Sequence, residues 1–249
     1  MNRTADVVIV GAGVIGSATA FELAKRGYKT LNIDKLPASG YGSTSNSCAI
    51  VRAHYSTWDG VAMAYEGFFY WDDWNKYLEV EDERGMAKYM KTGSIMFMLK
   101  GADHSKKSLN LFKEIGVEHE IWDLETLKKK MPIYSHDSYN GTSRPDEDDS
   151  FFDKSGDQIE GAVWTPGSGY VSDPQLATHN LQVATEAKGG EFLFDAEVTE
   201  IRQSNGQIQG VTLKSGEQID CKVLVNVAGP HSFTVSYTHL RAHETVHYR

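Results

Sequence analysis

The opening stretch VVIVGAGVIGSATAFELAKRGYKTLNIDK (7–35) constrains the fold of this chain more than any other segment. It begins with an apolar run typical of a buried strand, and G-x-G-x-x-G follows with glycines at Gly11, Gly13 and Gly16. A helical pattern comes next, and a second apolar run ends at Asp34, 18 residues after Gly16. Strand, glycine turn, helix, strand and acid in this order predict a βαβ unit that binds a dinucleotide.

The glycines and the acid have different roles in such a unit. Gly11 allows the tight turn, Gly13 lets backbone N–H groups approach a pyrophosphate, and Gly16 lets the helix pack closely on the strand. Asp34 can accept hydrogen bonds from both hydroxyls of an adenosine ribose, and its charge would repel the 2′-phosphate of NADP. We therefore expect the cofactor site to include Gly11, Ala12, Gly13, Val14, Ile15, Gly16, Asp34 and Lys35.

Length, charge and cysteine content exclude several classes of protein. The 249 residues suffice for one large domain or two smaller ones, and the net charge of −9 is dispersed, which argues against a nucleic-acid surface. No apolar run reaches the ~18 residues of a membrane span, and the first strand begins too close to Met1 for a signal peptide. We expect a cytoplasmic protein in which Cys48 and Cys221 form no disulfide and Cys48 is a small buried thiol.

Periodicity and capping residues predict further elements. A helix is expected over 61–78, another after the capping residue Asp123, and a third capped by Asp173 with Pro174 at its first position. Residues 134–159 are polar throughout and predict a long surface loop. Four β segments are expected near the end of the chain, at 196–202, 208–213, 218–220 and 222–227.

The segment after Asp34, residues 36–56, is rich in Gly, Ser, Thr and Asn. Such residues supply backbone and hydroxyl donors. A loop that leaves a ribose-binding strand lies beside the diphosphate, so we expect Ser43, Thr44 and Ser45 to contact the cofactor.

Four segments together resemble the family of FAD-dependent amine oxidoreductases that includes D-amino-acid oxidase, glycine oxidase and sarcosine oxidase. They are residues 7–35, GSTSNSCAIVRAHY (42–55), GAVWTPGSGYVSDPQLATHNL (161–181) and AEVTEIRQSNGQIQGVTLKSGEQIDCKVLVNVAGPHS (196–232). The resemblance implies an α/β fold, with a Rossmann-like FAD-binding domain of the glutathione-reductase type and an inserted, incomplete α+β substrate domain. On this basis we expect FAD-binding segments at 1–85 and 161–232 and a substrate-domain segment at 86–160.

The resemblance also implies an activity, namely oxidation of the C–N bond of a small amine or amino acid by hydride transfer to FAD. Sarcosine, glycine and D-amino acids are substrates of this type. In the family, the residue matching Val198 offers backbone hydrogen bonds to the adenine, and the stretch matching Ala228 and Gly229 closes over the diphosphate. In the monomeric sarcosine oxidases, an arginine in the position of Arg52 holds the substrate carboxylate. His54 and Tyr55 lie close by, and either could line the pocket or only pack against it; Tyr55 is the second candidate for the catalytic site.

Several alternatives stay open at this point. Arg52 suits a carboxylate because its guanidinium offers a bidentate fork, but it could equally be a surface ion-pair partner. The chain could be an NAD-dependent dehydrogenase that shares only the first βαβ unit, or a non-catalytic flavoprotein subunit or assembly factor. Ser45 and Asn46 stand where family members often have a histidine bonded to the flavin, so the resemblance implies no covalent link through this loop. The electron acceptor and the particular amine are not identified.

The last stretch, FTVSYTHLRAHETVHYR (233–249), resembles nothing in the family. Family members continue well past the strand before Gly229, so we expect a C-terminally truncated chain that ends in a non-native tail. His243, Glu244 and His247 form an H-E-x-x-H pattern, which in metalloproteases holds zinc on one helix face. Because no third ligand and no further helix accompany it, we expect no metal site.

Overall fold

The computed structural model describes residues 3–101, 104–139 and 144–237. Its α-helices are α1 (Val14–Lys25), α2 (Trp58–Asp72), α3 (Trp74–Leu78), α4 (His104–Ile115), α5 (Leu124–Lys130), α6 (Pro174–Ala187) and α7 (Ser232–Tyr237). Its β-strands are β1 (Arg3–Thr4), β2 (Val7–Val10), β3 (Thr30–Ile33), β4 (Ile50–Val51), β5 (Tyr89–Met90), β6 (Ser94–Leu99), β7 (Glu120–Asp123), β8 (Asp137–Tyr139), β9 (Lys154–Thr165), β10 (Gly169–Val171), β11 (Glu191–Leu193), β12 (Val198–Ser204), β13 (Gln207–Leu213), β14 (Gln218–Asp220) and β15 (Val223–Asn226). None of the helices in the described ranges has the length and apolar character needed to cross a membrane.

The chain divides into two compact units. Unit 1 comprises residues 1–49, 73–88 and 171–249, and unit 2 comprises residues 50–72 and 89–170. The boundaries expected from the sequence differ from this division, since 50–72 and 161–170 group with unit 2.

Unit 1 is built on a parallel sheet with the strand order β11-β3-β2-β15. All four residues of β2 are buried, and Val8 lies opposite Leu31 on one side and Leu224 on the other. A central parallel strand is covered on both faces, which explains why its sequence is apolar at every position. Helix α1 packs against one face through Ala20, and a second sheet, β1-β14-β13-β12, packs against the other through Ile219. The predicted Rossmann-like α/β fold is confirmed.

A buried polar network joins segment 73–88 to α6 within unit 1. The Asp82 side chain is 2% exposed, and its carboxylate lies 2.6 Å from His179 Nδ1 and 2.7 Å from Asn180 Nδ2 and accepts a hydrogen bond from Arg84 N at 2.9 Å. The Asn180 side-chain oxygen in turn accepts hydrogen bonds from Ala87 N and the Trp74 indole. Burial alone would raise the pKa of Asp82, but the three hydrogen bonds outweigh it and hold the pKa below its ordinary value of 3.8.

Unit 2 contains the antiparallel sheet β6-β9-β7, with β8 paired to β9, and a small sheet with the order β4-β10-β5. One apolar cluster includes Phe112 of α4 and Val163 of β9, and a second includes Leu127 of α5 and Trp122 of β7. The Trp122 ring stacks on Trp164 with ring centroids 5.1 Å apart. The α+β character expected of a substrate-domain segment is therefore present in this unit.

Two helix starts predicted from capping residues are confirmed. The Asp123 carboxylate accepts a hydrogen bond from Thr126 N at 2.8 Å, and α5 begins at the next residue. Asp173 accepts from Leu176 N at 2.9 Å, with Pro174 at the first position of α6. Each cap satisfies a backbone donor that the helix itself leaves without a partner.

Other predictions are wrong in detail. The helix predicted over 61–78 is divided into α2 and α3, because Asp73 adopts φ −111° and ψ 39°. The segment 134–159 is not a loop throughout, since it contains β8 and the start of β9, with Asp137 opposite Gln158. These strands carry polar side chains, so they lack the apolar alternation by which strands are recognised in a sequence.

We expect the variant Asp82→Ala to lower the free energy of unfolding by about 2–3 kcal/mol, because it removes the acceptor of the partly buried His179 imidazole and of one N–H of the buried Asn180 amide. Since the pKa of Asp82 is lowered in the folded protein, its contribution is present above pH 3.8 and is lost as the pH falls below that value. Urea unfolding at pH 7 and at pH 3 measures both effects. Lys76→Ala, on an 84% exposed side chain of the same segment, is the control and should change stability by less than about 0.5 kcal/mol. Equal effects of the two variants would contradict the assignment.

Candidate cofactor and substrate sites

The glycine turn joins β2 to α1 and lies against the end of β15. Gly11 has φ +110°, and a Cβ on it would lie 2.5 Å from Val227 O. A Cβ on Gly16 would overlap Gly11 O, and one on Gly13 would lie 3.2 Å from Thr44 Oγ1. Backbone atoms thus occupy the space of a side chain at Gly11 and Gly16, whereas a side chain at Gly13 would require a small shift of Thr44.

The N-terminus of α1 is suited to an anion. Gly13 provides no side-chain cap, and the first turn contains no acidic residue. Thr44 Oγ1 accepts a hydrogen bond from Val14 N at 3.1 Å. The first N–H groups of a helix have no partner within it, and the helix dipole favours negative charge there. A diphosphate fits this end of α1.

Asp34 lies at the end of β3 and is bonded to the glycine turn. One carboxylate oxygen accepts a hydrogen bond from Ala12 N at 2.7 Å, and the other accepts one from Leu36 N at 2.9 Å. A carboxylate oxygen has about two acceptor positions. Each oxygen of Asp34 therefore keeps one position for a ribose hydroxyl.

The loop after Asp34 folds back onto the glycine turn. Gly40 N donates to Ala12 O at 2.8 Å, and Ser45 N donates to Gly40 O at 2.9 Å. Ser39 is 1% exposed, and its hydroxyl has no hydrogen-bond partner among the described residues. A buried hydroxyl without a partner is costly, so a polar ligand group at this position would be stabilising. Ser39 was missed in the sequence, where it is one serine among many.

The remaining residues expected at the cofactor lie in unit 1 and differ in burial and packing. Ala228 follows β15, and its Cα would lie 2.8 Å from a Cβ on Gly11. Val198 begins β12 and packs against the apolar cluster that contains Leu31 and Ile33. The residues with exposed positions are Lys35, Ser43, Ser45 and Gly229, and the side chain of Ile15 is 66% exposed.

Asn32 was not among the residues expected at the site, and Cys48 differs from its expected burial. Asn32 is fully buried in β3, and when its amide nitrogen faces the turn it donates to Ile9 O and Gly11 O at 3.1 Å each. No sign in the sequence indicated that this asparagine, which lies inside an apolar run, would bond to the backbone of the glycine turn. Cys48 is exposed rather than buried, because it lies at the end of the polar loop beside Ala49, which has φ +51°.

Arg52 and Tyr55 lie in unit 2, on the segment after β4. The Arg52 guanidinium carbon is 5.6 Å from the centroid of the Tyr55 ring, and Nη1 donates to His54 O at 3.1 Å. Both side chains are exposed. Across residues 3–101, 104–139 and 144–237, no carboxylate lies within ion-pair distance of Arg52. The guanidinium therefore has hydrogen-bond donors available for an external anion.

His54 points into the core of unit 2. It is 6% exposed, its ring lies 5.7 Å from that of Phe112, and its Nε2 is 3.0 Å from Thr165 Oγ1. Desolvation, with the positive charges of Arg52 and His104 as smaller causes, lowers the pKa of His54 to about 4. The imidazole is therefore neutral at neutral pH.

We expect the stability of unit 2 to fall as the pH drops from 6.5 to 4. The pKa of His54 moves from its ordinary value of 6.5 to about 4 on folding, so the unfolded chain binds more protons in this window. The free energy of unfolding should then decrease by up to about 1.4 kcal/mol per pH unit. Urea unfolding at pH 7, 6 and 5 measures this slope, and His54→Phe, which cannot be protonated, should reduce it. An unchanged slope in the variant would assign the effect to another group.

Among the described residues, no group of three or more His, Cys, Asp or Glu side chains is arranged to hold a metal ion. The H-E-x-x-H pattern at 243–247 lies outside the described residues.

The similarity to known proteins extends over most of the chain. Residues 6–246 match the family described as FAD dependent oxidoreductase (DAO), and the match includes most of the stretch 233–249. The monomeric sarcosine oxidase of Bacillus sp. (strain B-0618) is 29% identical over 96% of this chain and 55% of its own length. The mitochondrial pyruvate dehydrogenase phosphatase regulatory subunit of Mus musculus is 26% identical over 92% of this chain and 23% of its own length.

The fold is also found in solved structures. The crystal structure of L-proline dehydrogenase from P.horikoshii has a TM-score of 0.76 and 21% identity, and the match covers 95% of this chain and 56% of that one. At this identity the likeness concerns the fold alone. The chain thus spans 55% or less of the length of the two curated relatives named above.

Proposed function

Since the chain belongs to the family of FAD-dependent oxidoreductases, we propose that it oxidises the C–N bond of a small amine or amino acid. Substrates of the sarcosine, glycine or D-amino-acid type are the candidates. The observation that carries this proposal is Arg52, an exposed guanidinium that rests on the Tyr55 ring and has donors free for a carboxylate. The name of the Bacillus relative, a sarcosine oxidase, supports the same substrate class.

Unit 1 has the groups that would hold the adenosine and diphosphate of FAD. The N-terminus of α1 suits the diphosphate, and Asp34 has acceptors for both ribose hydroxyls. The unpartnered Ser39 hydroxyl offers a further polar contact. We assign the adenine contact to the backbone of Val198, and Ala228 and Gly229 to the diphosphate side.

Bound FAD supplies a two-electron acceptor for the hydride equivalent of the C–H bond beside the substrate nitrogen. The chain's own contribution is to bind and orient the substrate. Arg52 can hold a carboxylate through two parallel N–H donors, which fixes both its position and its plane. The guanidinium lies over the Tyr55 ring, at a distance within cation–π range. The neutral His54 leaves Arg52 as the positive group that attracts the carboxylate on this segment.

A visible absorption spectrum tests the proposal directly. Protein loaded with FAD should lose its yellow colour when sarcosine, glycine or D-alanine is added without oxygen, because one of them passes two electrons to the flavin. Acid precipitation of the same sample reports whether the flavin is covalently bound. A colourless protein that binds NADH would favour an NAD-dependent dehydrogenase instead.

A second candidate is a non-catalytic flavoprotein subunit. The similarity to a mouse protein named as a phosphatase regulatory subunit supports this alternative. A yellow protein whose flavin is reduced by none of the tested amines would favour it.

For the nucleotide half, we expect Asp34→Asn to weaken FAD binding about tenfold, because it removes the charge from an acceptor of two hydroxyl groups. Quenching of flavin fluorescence measures the Kd. Asp6→Asn is a matched control, since Asp6 also accepts a backbone hydrogen bond, from Lys29 N at 2.8 Å, but lies on the exposed surface. Asp6→Asn should leave the Kd within about twofold, and equal losses in both variants would contradict the role of Asp34.

For the substrate, we expect Arg52→Met to raise KM for a carboxylate-bearing amine about 30-fold or more, because a charge-assisted bidentate contact contributes about 2–3 kcal/mol. Arg52→Lys should have an intermediate effect, since it keeps the charge and loses the fork. Dimethylamine, which is sarcosine without its carboxylate, is the control and should be oxidised equally by all three proteins. A KM for sarcosine that does not change in Arg52→Met would refute the role of Arg52.

A further inference from the structure

We propose that His54 and Thr165 form a positioning pair that holds Arg52 in the orientation needed to bind a carboxylate. This inference rests on the proposed function, since it concerns the residue that binds the substrate. Neither side chain of the pair is placed to touch the substrate, because both are buried in unit 2.

The orientation of Arg52 depends on the peptide group at position 54. Arg52 Nη1 donates to the backbone oxygen of His54, so a rotation of that peptide group would move the guanidinium. Ala53 is fully buried, which fixes the chain on one side of the peptide group. On the other side, the backbone oxygen of Tyr55 accepts a hydrogen bond from Ser108 Oγ at 3.1 Å.

The His54 side chain supplies the remaining anchor. Its ring packs against Phe112, and its Nε2 lies 3.0 Å from Thr165 Oγ1. Because Thr165 is the last residue of β9, the anchor is part of a strand rather than of a loop. A site supported by a strand is held more precisely than one supported by a loop.

Thr165 is the centre of a group of hydroxyls in which Thr165 and Ser168 are buried and Ser94 is partly buried. Its Oγ1 lies 2.9 Å from Ser94 Oγ and 2.9 Å from Ser168 Oγ, in addition to its contact with His54. Thr165 and Ser168 are both 0% exposed. If the imidazole moved away from Thr165, its buried Nε2 would lose this partner, while the Thr165 hydroxyl would keep its contacts with Ser94 and Ser168. The network therefore resists displacement of the 52–55 segment.

Preorganisation of this kind favours binding. A free arginine side chain loses about 2 kcal/mol of rotamer entropy when a ligand fixes it. Here one N–H of Arg52 already donates to His54 O and the guanidinium lies over the Tyr55 ring, while other donors stay available. Part of the entropy loss thus occurs on folding rather than on binding.

The test uses the FAD-loaded full chain and methoxyacetate, which has the shape and carboxylate of sarcosine but no amine to oxidise. Its Kd is measured by calorimetry and by the change in the flavin spectrum. Thr165→Val removes the hydroxyl at nearly constant volume and should raise this Kd at least about fivefold. His54→Phe keeps the ring packing and should do the same, so the outcome does not depend on a single variant.

Two controls isolate the pair. Thr165→Ser keeps the hydroxyl and should leave the Kd for methoxyacetate within about twofold of the unmodified protein. Thr185→Val makes the same chemical change at another fully buried threonine, which bonds to Leu181 O, and should also stay within about twofold. All four variants should bind FAD with unchanged affinity, which separates loss of orientation from loss of the fold.

The outcomes distinguish this inference from the proposed function. If Arg52→Met weakens methoxyacetate binding but Thr165→Val and His54→Phe do not, the positioning pair is wrong and the role of Arg52 stands. If Arg52→Met also leaves the Kd unchanged, both are wrong. An equal rise in Thr185→Val would show a general effect of core substitutions and would overturn the pair as well.

Discussion

The cofactor side of this protein depends on the close approach of α1 to the strand that precedes it. Gly16 has no room for a Cβ beside Gly11 O, and Gly11 itself has none beside Val227 O. This contact brings the first N–H groups of the helix to the end of β2, where the carboxylate of Asp34 and the loop that follows it also lie. A displacement of the helix by one methyl group would separate the groups proposed to bind the diphosphate, at the start of α1, from the acid proposed to bind the ribose, at the end of β3.

Much of unit 1 could be predicted from the sequence because its signals are local. Consecutive apolar residues, glycines at fixed spacing and capping residues such as Asp173 each act through backbone geometry within a few positions. Asn32 and Ser39 could not be predicted in the same way. Both are polar residues that become buried, and the partners of Asn32, the backbone oxygens of Ile9 and Gly11, come from the preceding strand and its turn. Nothing in a short stretch of sequence shows which serine or asparagine will be enclosed.

Unit 2 was harder to predict, because its buried polar residues also lack a local sequence signal. Arg52 and Tyr55 are candidates on resemblance to a family, whereas the residues that support them give no pattern. His54 meets Thr165 across 111 positions of sequence, and the hydroxyls of Ser94 and Ser168 join them through the pairing of β6 with β9 and the turn that follows β9. Polar β8 and the start of β9 were likewise interpreted as loop, since a strand without apolar alternation resembles one. The interactions that hold the candidate site of this unit in place join residues that are far apart in the sequence.

The carboxylate of Asp34 has a consequence for how the protein and its coenzyme stabilise each other. Two backbone N–H groups hold it in place, so the ribose of the proposed ligand would meet a carboxylate whose geometry the fold has already set. The same two hydrogen bonds tie the glycine turn to the following loop, and the proposed ligand would add its own contacts to both. Saturation with coenzyme should therefore raise the melting temperature of unit 1 in proportion to the logarithm of the free coenzyme concentration. Folding of this unit and retention of its coenzyme are, in thermodynamic terms, linked equilibria.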